Sequence, residues 1–228
     1  MSCVLSVIIP VLNDALALQR LCAALKPVKN AQWEIIVVDG GSADDSVSVA
    51  SEFAHRVLSS AAGRARQMQA GANAAKGDVL WFVHADSSIS LNLLSEMLLH
   101  AKHHRWGRCD VRLDGVHPMF RIIEWLMNSR SRITGICTGD QGIFIRRDVL
   151  VNIGGFADIP LMEDIDISKR LKKIASPFVL RTKLGASSRR WREHGIARTI
   201  LLMWYIRLRF FLGASPESLH SVYYRKSH

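Results

Sequence analysis

Three short apolar runs, each closing on a turn-forming or acidic residue, constrain this chain more than any other feature. Leu5-Ser-Val-Ile-Ile-Pro10, Glu34-Ile-Ile-Val-Val-Asp39 and Asp78-Val-Leu-Trp-Phe-Val83 lack the polar alternation of a strand with one wet face. Such runs suit strands covered on both faces, as in a parallel sheet. Helical periodicity lies between them. Residues 14–26 place Leu16, Leu18, Leu21, Cys22 and Leu25 on one apolar face, with Asn13 or Asp14 as the cap. Helices are also predicted over Asp44–Phe53, Arg64–Ala75 and Leu91–His103, with a short strand at His55–Leu58. This alternation predicts an α/β fold: a mostly parallel sheet, right-handed crossovers and helices on both faces.

The rhythm changes over roughly 104–135. A strand is predicted at 109–113, then an amphipathic stretch, Met119–Asn128, with Met119, Ile122, Ile123 and Leu126 on one face. Gly142–Ile145 and Phe178–Leu180 read as strands, and Asp164–Lys173 and Gly195–Leu212 as helices. No linker, repeat or low-complexity tract interrupts the 228 residues. The expectation is one domain over 1–228, read in three stretches: about 1–103, about 104–195 and an amphipathic basic C-terminal region (about 196–228).

The formal net charge is +10, with 30 Lys+Arg against 20 Asp+Glu, but it is unevenly placed. Residues 169–228 hold 14 basic and 2 acidic side chains, a net of +12, so residues 1–168 carry −2. A basic block can face nucleic acid, anionic lipid or a phosphate-bearing substrate, or be a solvated face with no partner. Within it, Ile196–Leu212 mixes Ile200, Leu201, Trp204, Tyr205, Leu208, Phe211 and Leu212 with Arg198, Arg207 and Arg209. Two readings stay open: a helix lying in a membrane interface, or one docked on its own domain. No uncharged apolar run is long enough for a transmembrane helix. Cys3, Cys22, Cys109 and Cys137 form no CxxC pair and read as reduced thiols. With an N-terminus that reads as a strand and not a signal peptide, this points to a cytoplasmic location, peripheral to the inner face of the membrane if the last helix lies on it.

Ligands of open parallel sheets gather at the carboxyl ends of the strands. Asp39 and Asp86 stand at two such ends, and Glu163-Asp164 follows Ile153-Gly-Gly-Phe156. Single acids there are commonly turn or cap residues, the reading given to Asp44 and Asp148. Three acidic ends in one sheet point to a metal-bound diphosphate and a base. A dinucleotide fold would need GxGxxG after the first strand, where Pro10-Val-Leu-Asn13 stands, and no GxxxxGK[ST] loop occurs.

Taken in order, Ser6-Val-Ile-Ile-Pro-Val-Leu-Asn13, Glu34–Ser42, Gly63-Arg-Ala-Arg-Gln-Met68, Gly77-Asp78, Phe82–Asp86, Gly139–Gly142, Gly154–Phe156 and Met162–Asp164 resemble the family 2 glycosyltransferases of GT-A fold. The likeness runs over about 4–224. It is strongest to the arsenosugar-biosynthesis or radical-SAM/selenodomain-associated subgroup, through GRARQM, His84-Ala85-Asp86 and Ser188-Arg-Arg-Trp191.

The resemblance implies an inverting transferase, which moves a sugar from a nucleotide-diphosphate donor to an unidentified acceptor hydroxyl. It places Pro10, Leu12 and Asn13 around the base and ribose, Asp39 on the base, and Gly41 in the adjoining turn. Arg64, His84 and Ala85 fall beside the nucleotide, and Asp86 on Mg2+ or Mn2+. Asp164, with Glu163 beside it, is the general base. Asp140, Gln141, Arg189, Arg190 and Trp191 fall on the acceptor or diphosphate side. His84 replaces the first acid of the family's DxD motif, so it reads either as a nucleotide contact or as a structural histidine. Arg64 can equally be a helix-surface arginine, and Arg189–Trp191 a basic turn. Competing functions are a sugar-phosphate nucleotidyltransferase, which lacks its basic Gly-rich loop here, and a nucleic-acid-binding module. The latter leaves the acidic strand ends without purpose, so no nucleic-acid partner is expected.

Overall fold

The computed structural model describes residues 4–25 and 33–224. Cys3, the Lys26 end of the first predicted helix and the basic residues after 224 lie outside the described residues. The seven strands form one sheet in the order β3-β2-β1-β4-β6-β5-β7. They are β1 (Leu5–Val11), β2 (Trp33–Asp39), β3 (Arg56–Ser59), β4 (Val79–Phe82), β5 (Trp106–Leu113), β6 (Phe144–Arg146) and β7 (Phe178–Ala186). Pairing is parallel across β3-β2-β1-β4 and between β5 and β7, while β6 runs antiparallel to both neighbours.

Every residue of β1 and β2 is buried, as their unbroken apolar runs require. Alternate side chains feed two cores. Val7, Ile9 and Val11 pack with α1 (Ala15–Leu25), α2 (Ser46–Phe53) and α4 (Leu91–His100) on one face. Ile8, Ile36 and Val38 meet α3 (Arg64–Ala74), α6 (Arg147–Asn152) and α7 (Glu163–Lys172) on the other. On α1 the buried face is Leu18, Leu21, Cys22 and Leu25, and Leu16 points to solvent.

The predicted face of the middle helix is corrected more fully. α5 (Pro118–Thr134) buries Phe120, Ile123, Glu124, Asn128 and Ser131, while Ile122, Trp125 and Leu126 are exposed. The reason is β5. Its partner β6 is only three residues long and meets it at Trp106 and Gly107, so the rest of that edge needs other hydrogen-bond partners. Asn128 supplies them, accepting from Val111 N–H at 2.9 Å and donating to Val111 C=O at 3.0 Å; Glu124 accepts from Leu113 N–H at 2.6 Å. Polar side chains therefore define the docked face, and an apolar periodicity cannot reveal it.

β7 continues six residues past Leu180, to Ala186. The C-terminal segment forms α8 (Arg189–His194), α9 (Ile196–Phe211) and α10 (Pro216–Tyr223). Ile196 and Ile200 of α9 pack with Val111, Phe120 and Ile123 of β5 and α5. Ile206 packs with Leu161, Met162, Ile165 and Leu219. No helix among the described residues is long and apolar enough to cross a membrane.

Candidate active site

The chain leaves β1 for β2 and β3 on one side, then returns to place β4 on the other, so the strand order reverses between β1 and β4. That reversal opens a crevice at the carboxyl ends. Two loops on its β1–β2 side are tied together. Asn13, at a left-handed φ of 51°, accepts from Ala43 N–H at 2.7 Å, and its own N–H donates to Ser42 Oγ at 2.9 Å. Asp39 is buried and spends its carboxylate first on its own turn, accepting from Gly41 N–H at 2.9 Å and Ser42 N–H at 3.1 Å. Gln67 of α3 pins both strands from below, donating from Nε2 to Val11 C=O and Val38 C=O, each at 2.8 Å. A Cβ at Gly40 would come within 3.1 Å of that amide, so the turn needs glycine for close approach.

On the β4 side, His84-Ala85-Asp86 follows Val83. His84 Nδ1 lies 3.5 Å from Asp140 Oδ1, and its ring packs so closely on Gly139 that an added Cβ there would fall 2.5 Å from Nε2. Both ring nitrogens are thus faced by protein, and the ring also lines the open cleft. Gly139 N–H donates to Asp164 Oδ2 at 2.9 Å, fixing that carboxylate across the cleft from His84. Met162, at a left-handed φ of 72°, turns the chain into α7 so that Glu163 and Asp164 occupy its first two positions. Such backbone strain in a residue with a side chain persists only where the surroundings impose it.

Electrostatics separate the carboxyls. Burial, together with the neighbouring charge of Asp164, pushes Glu163 from 4.5 up to about 7 against the pull of Arg64. Asp140 moves the other way: desolvation opposes ionisation, but the His84 hydrogen bond and the charges of His84, Arg64 and Arg207 hold it below the usual carboxylate range. Arg64 keeps contact with solvent, and although desolvation opposes its charge, Glu163, Tyr223 and Asp140 raise its pKa above the ordinary arginine value.

A cavity of about 320 Å³ joins these groups. Its acidic and imidazole lining is His84, Asp86, Asp140, Glu163 and Asp164, with Glu193 and His194 from α8 (Arg189–His194); its cationic lining is Arg64, Arg189, Arg190 and Arg207. The C-terminal helices close the cavity with Trp191, Thr199, Met203 and Tyr223. Arg189 is already engaged, gripping Asp14 with both terminal nitrogens at 3.0 and 2.9 Å. Arg190 stacks on the Tyr223 ring at 3.6 Å. A larger depression of about 630 Å³ lies at the opposite, amino end of β4. There Arg146 pairs with Asp148 and Arg147 is spent on Gly77 C=O, and the depression lies away from the carboxyl-end crevice.

Residues 6–156 match the sequence model of glycosyl transferase family 2. The chain belongs to that family. No curated protein matches this family 2 chain in sequence. Among solved structures it is similar in fold to S. aureus TarS 1-349 in complex with UDP-GlcNAc (20% identity, TM-score 0.63, covering 81% of this chain and 58% of that one). It is also similar to the mannosyltransferase PcManGT from Pyrobaculum calidifontis in complex with GDP-Man and Mn2+ (21% identity, TM-score 0.57, covering 78% and 54%). The chain thus spans somewhat over half the length of each, and these likenesses show the GT-A-type fold.

Most of the site residues expected from sequence come together, but in two groups. Arg64, His84, Asp86, Asp140, Glu163, Asp164, Arg189, Arg190 and Trp191 share the cavity. Pro10, Leu12, Asn13, Asp39 and Gly41 form the adjoining shelf at the ends of β1 and β2, with Leu12 exposed and Pro10 buried. Ala85 is buried under the β4 loop. Gln141 is fully buried and turned away, its Oε1 accepting from Thr138 N–H at 3.1 Å. Sequence reasoning missed Gln67, Arg207 and Tyr223, and took Asp14 only for a helix cap.

Among the described residues, no three His, Cys, Asp or Glu side chains converge as a ready-made metal site. Mg2+ and Mn2+ in phosphate chemistry need little from the protein, one or two carboxylates with substrate oxygens and water completing the shell. Asp86 lines the cavity as a carboxylate of that kind. The donor set fits a cation shared with a diphosphate, and it does not fit a cation held by protein alone.

Proposed function

We propose that this chain is an inverting glycosyltransferase using a nucleotide-diphosphate sugar. The observation that carries the reading is the joint lining of one cavity, at the reversal point of the sheet, by Asp86, the Glu163–Asp164 pair and several arginines. The base and ribose rest on the shelf formed by Pro10, Leu12 and Asn13. Asp39 has lone pairs left over from its own turn to accept an N–H of the base. The diphosphate lies toward Asp86, which would hold Mg2+ or Mn2+; the ion supplies charge neutralisation on the departing diphosphate.

Asp164 is the general base. Gly139 N–H holds one of its oxygens, and the carboxylate faces the cavity, where an acceptor hydroxyl would lie. As Asp164 takes that proton, the acceptor oxygen attacks the anomeric carbon from the face opposite the diphosphate. The carbon–oxygen bond to the diphosphate then breaks, which inverts the configuration. Glu163, uncharged below about pH 7, leaves the base undisturbed by a second full negative charge.

The subgroup reading is supported by GRARQM, His84-Ala85-Asp86 and Ser188–Trp191; an arsenic-containing acceptor is implied by the subgroup's name alone. Peripheral contact with an anionic membrane is supported by α9. Its Leu201, Trp204, Tyr205, Leu208 and Phe211, continued by Leu212 just past its end, form an exposed apolar stripe at i, i+3, i+4 spacing, bordered by Arg209.

The test is thermal stabilisation and transfer with UDP- and GDP-sugars plus Mn2+, the nucleotides named in the two neighbouring structures. Asp164→Asn should lose transfer by about a thousandfold or more while nucleotide binding persists. Turnover retained in that variant would move the base elsewhere, and absence of any nucleotide effect on the melting temperature would sink the donor reading.

A further inference from the structure

Two neighbouring cations at the cavity form no ion pair among the described residues. Arg207 of α9 lines the cavity, and Arg130 of α5 stands close to it. Among the described residues neither makes an ion pair with any carboxylate. Nε and one terminal nitrogen of Arg130 are buried and have no hydrogen-bond partner. Burial, then repulsion from Arg207, lowers Arg130 to about 10, and burial lowers Arg207 too. Buried guanidinium N–H groups left unpaired are costly, and two like charges side by side more so, so the arrangement is an incomplete anion site.

Its position separates it from the donor diphosphate. The charged neighbours of Arg189 are Asp14, Asp86 and Glu193, on the side assigned to the donor. Arg130 and Arg207 instead share Asp164, the proposed base, and Arg207 also feels Asp140. An anion bound there lies beside the carboxylate that would activate the acceptor.

We propose that Arg130 and Arg207 form the acceptor's anchor, and that the acceptor carries a phosphate group. Asp164 and, on the Arg207 side, Asp140 lie near these two guanidinium forks, but the forks present more N–H donors than the two oxygens of a carboxylate can take, so they match the several acceptor oxygens of a phosphate better. The phosphate comes either from a small molecule or from a lipid headgroup. The second source is open because the exposed stripe of α9 is on the same helix as Arg207. The inference rests on the transferase reading for the word acceptor; the anion site itself does not.

The experiment titrates the full chain with inorganic phosphate, with and without saturating UDP or GDP and Mn2+, following melting temperature and heat. In parallel, phosphatidylcholine vesicles with and without phosphatidic acid are tested by co-sedimentation. Phosphate should bind on top of the nucleotide, and Arg207→Gln should weaken it by about tenfold or more, with Arg207→Lys retaining part of the affinity. Arg130→Gln repeats the test where it folds, and Arg207→Gln decides alone where it does not. Binding of phosphatidic-acid vesicles alone, lost in Arg207→Gln, assigns the lipid source. The proposal falls if phosphate merely competes with nucleotide, if acetate binds equally well, or if neither phosphate nor vesicle binding responds to Arg207→Gln. Phosphate binding without any nucleotide binding would overturn the donor reading and leave the anion site standing.

Discussion

Glu163→Gln changes no shape and removes only the ability to ionise, so it isolates the electrostatic cost of the Glu163–Asp164 pair. The Glu163 side chain is buried, and its carboxyl is pushed from 4.5 to about 7 by burial and by Asp164. The folded state thus binds this proton more tightly than the unfolded state. The resulting stability is fully present below pH 4.5 and is lost as pH rises through about 7. Over the whole window the loss is on the order of 3 kcal/mol, most of it between pH 5 and pH 8. The glutamine variant pays no such cost. It should therefore be more stable than the parent by less than about 1 kcal/mol at pH 5 and by roughly 3 kcal/mol at pH 8. For a chain of this size that is about 5 to 10 °C in Tm. Thermal and urea unfolding at the two pH values measure it. A parent-to-variant difference that is the same at both pH values, or a variant less stable at pH 8, would refute the argument that Glu163 is held neutral.

Asp86→Ala should abolish the dependence of UDP or GDP binding on Mn2+, seen as loss of the metal-induced gain in Tm, while the fold is retained. Chelation of the parent should give the same result. Gln67→Leu strands two strand-end carbonyls in the interior and should cost about 1 to 3 kcal/mol in urea unfolding, with weaker nucleotide binding because the Asn13 and Asp39 loops lose their support. Trp204→Ser with Phe211→Ser should reduce co-sedimentation with anionic liposomes without changing Tm, since both side chains are exposed. Unchanged sedimentation would remove the membrane role of α9.

The family order of the motifs located the acids, and the cavity gathers Asp86, Glu163 and Asp164, because strand-end loops of a parallel sheet open on one edge. The roles of the arginines were harder to read. Arg189 was expected on the acceptor or diphosphate side and is bound to Asp14, far away in sequence and adjacent only after α8 folds back over the β1 loop. Gln141 was expected on the acceptor side and is instead buried, its amide spent on the Thr138 turn. Residue type announces what a side chain can bind; which partner reaches it first depends on the packing.

The sequence by itself determined the α/β class and the strands covered on both faces, because continuous apolar runs tolerate no wet side. It also determined which acids stand at strand ends. Only the tertiary structure decided which face α5 buries, since that face is polar and answers to the unpaired edge of β5. It alone decided that Arg130 and Arg207 meet near Asp164 and form no ion pair among the described residues. Local periodicity records burial along one element, whereas charge pairing depends on distances between elements that no single segment encodes.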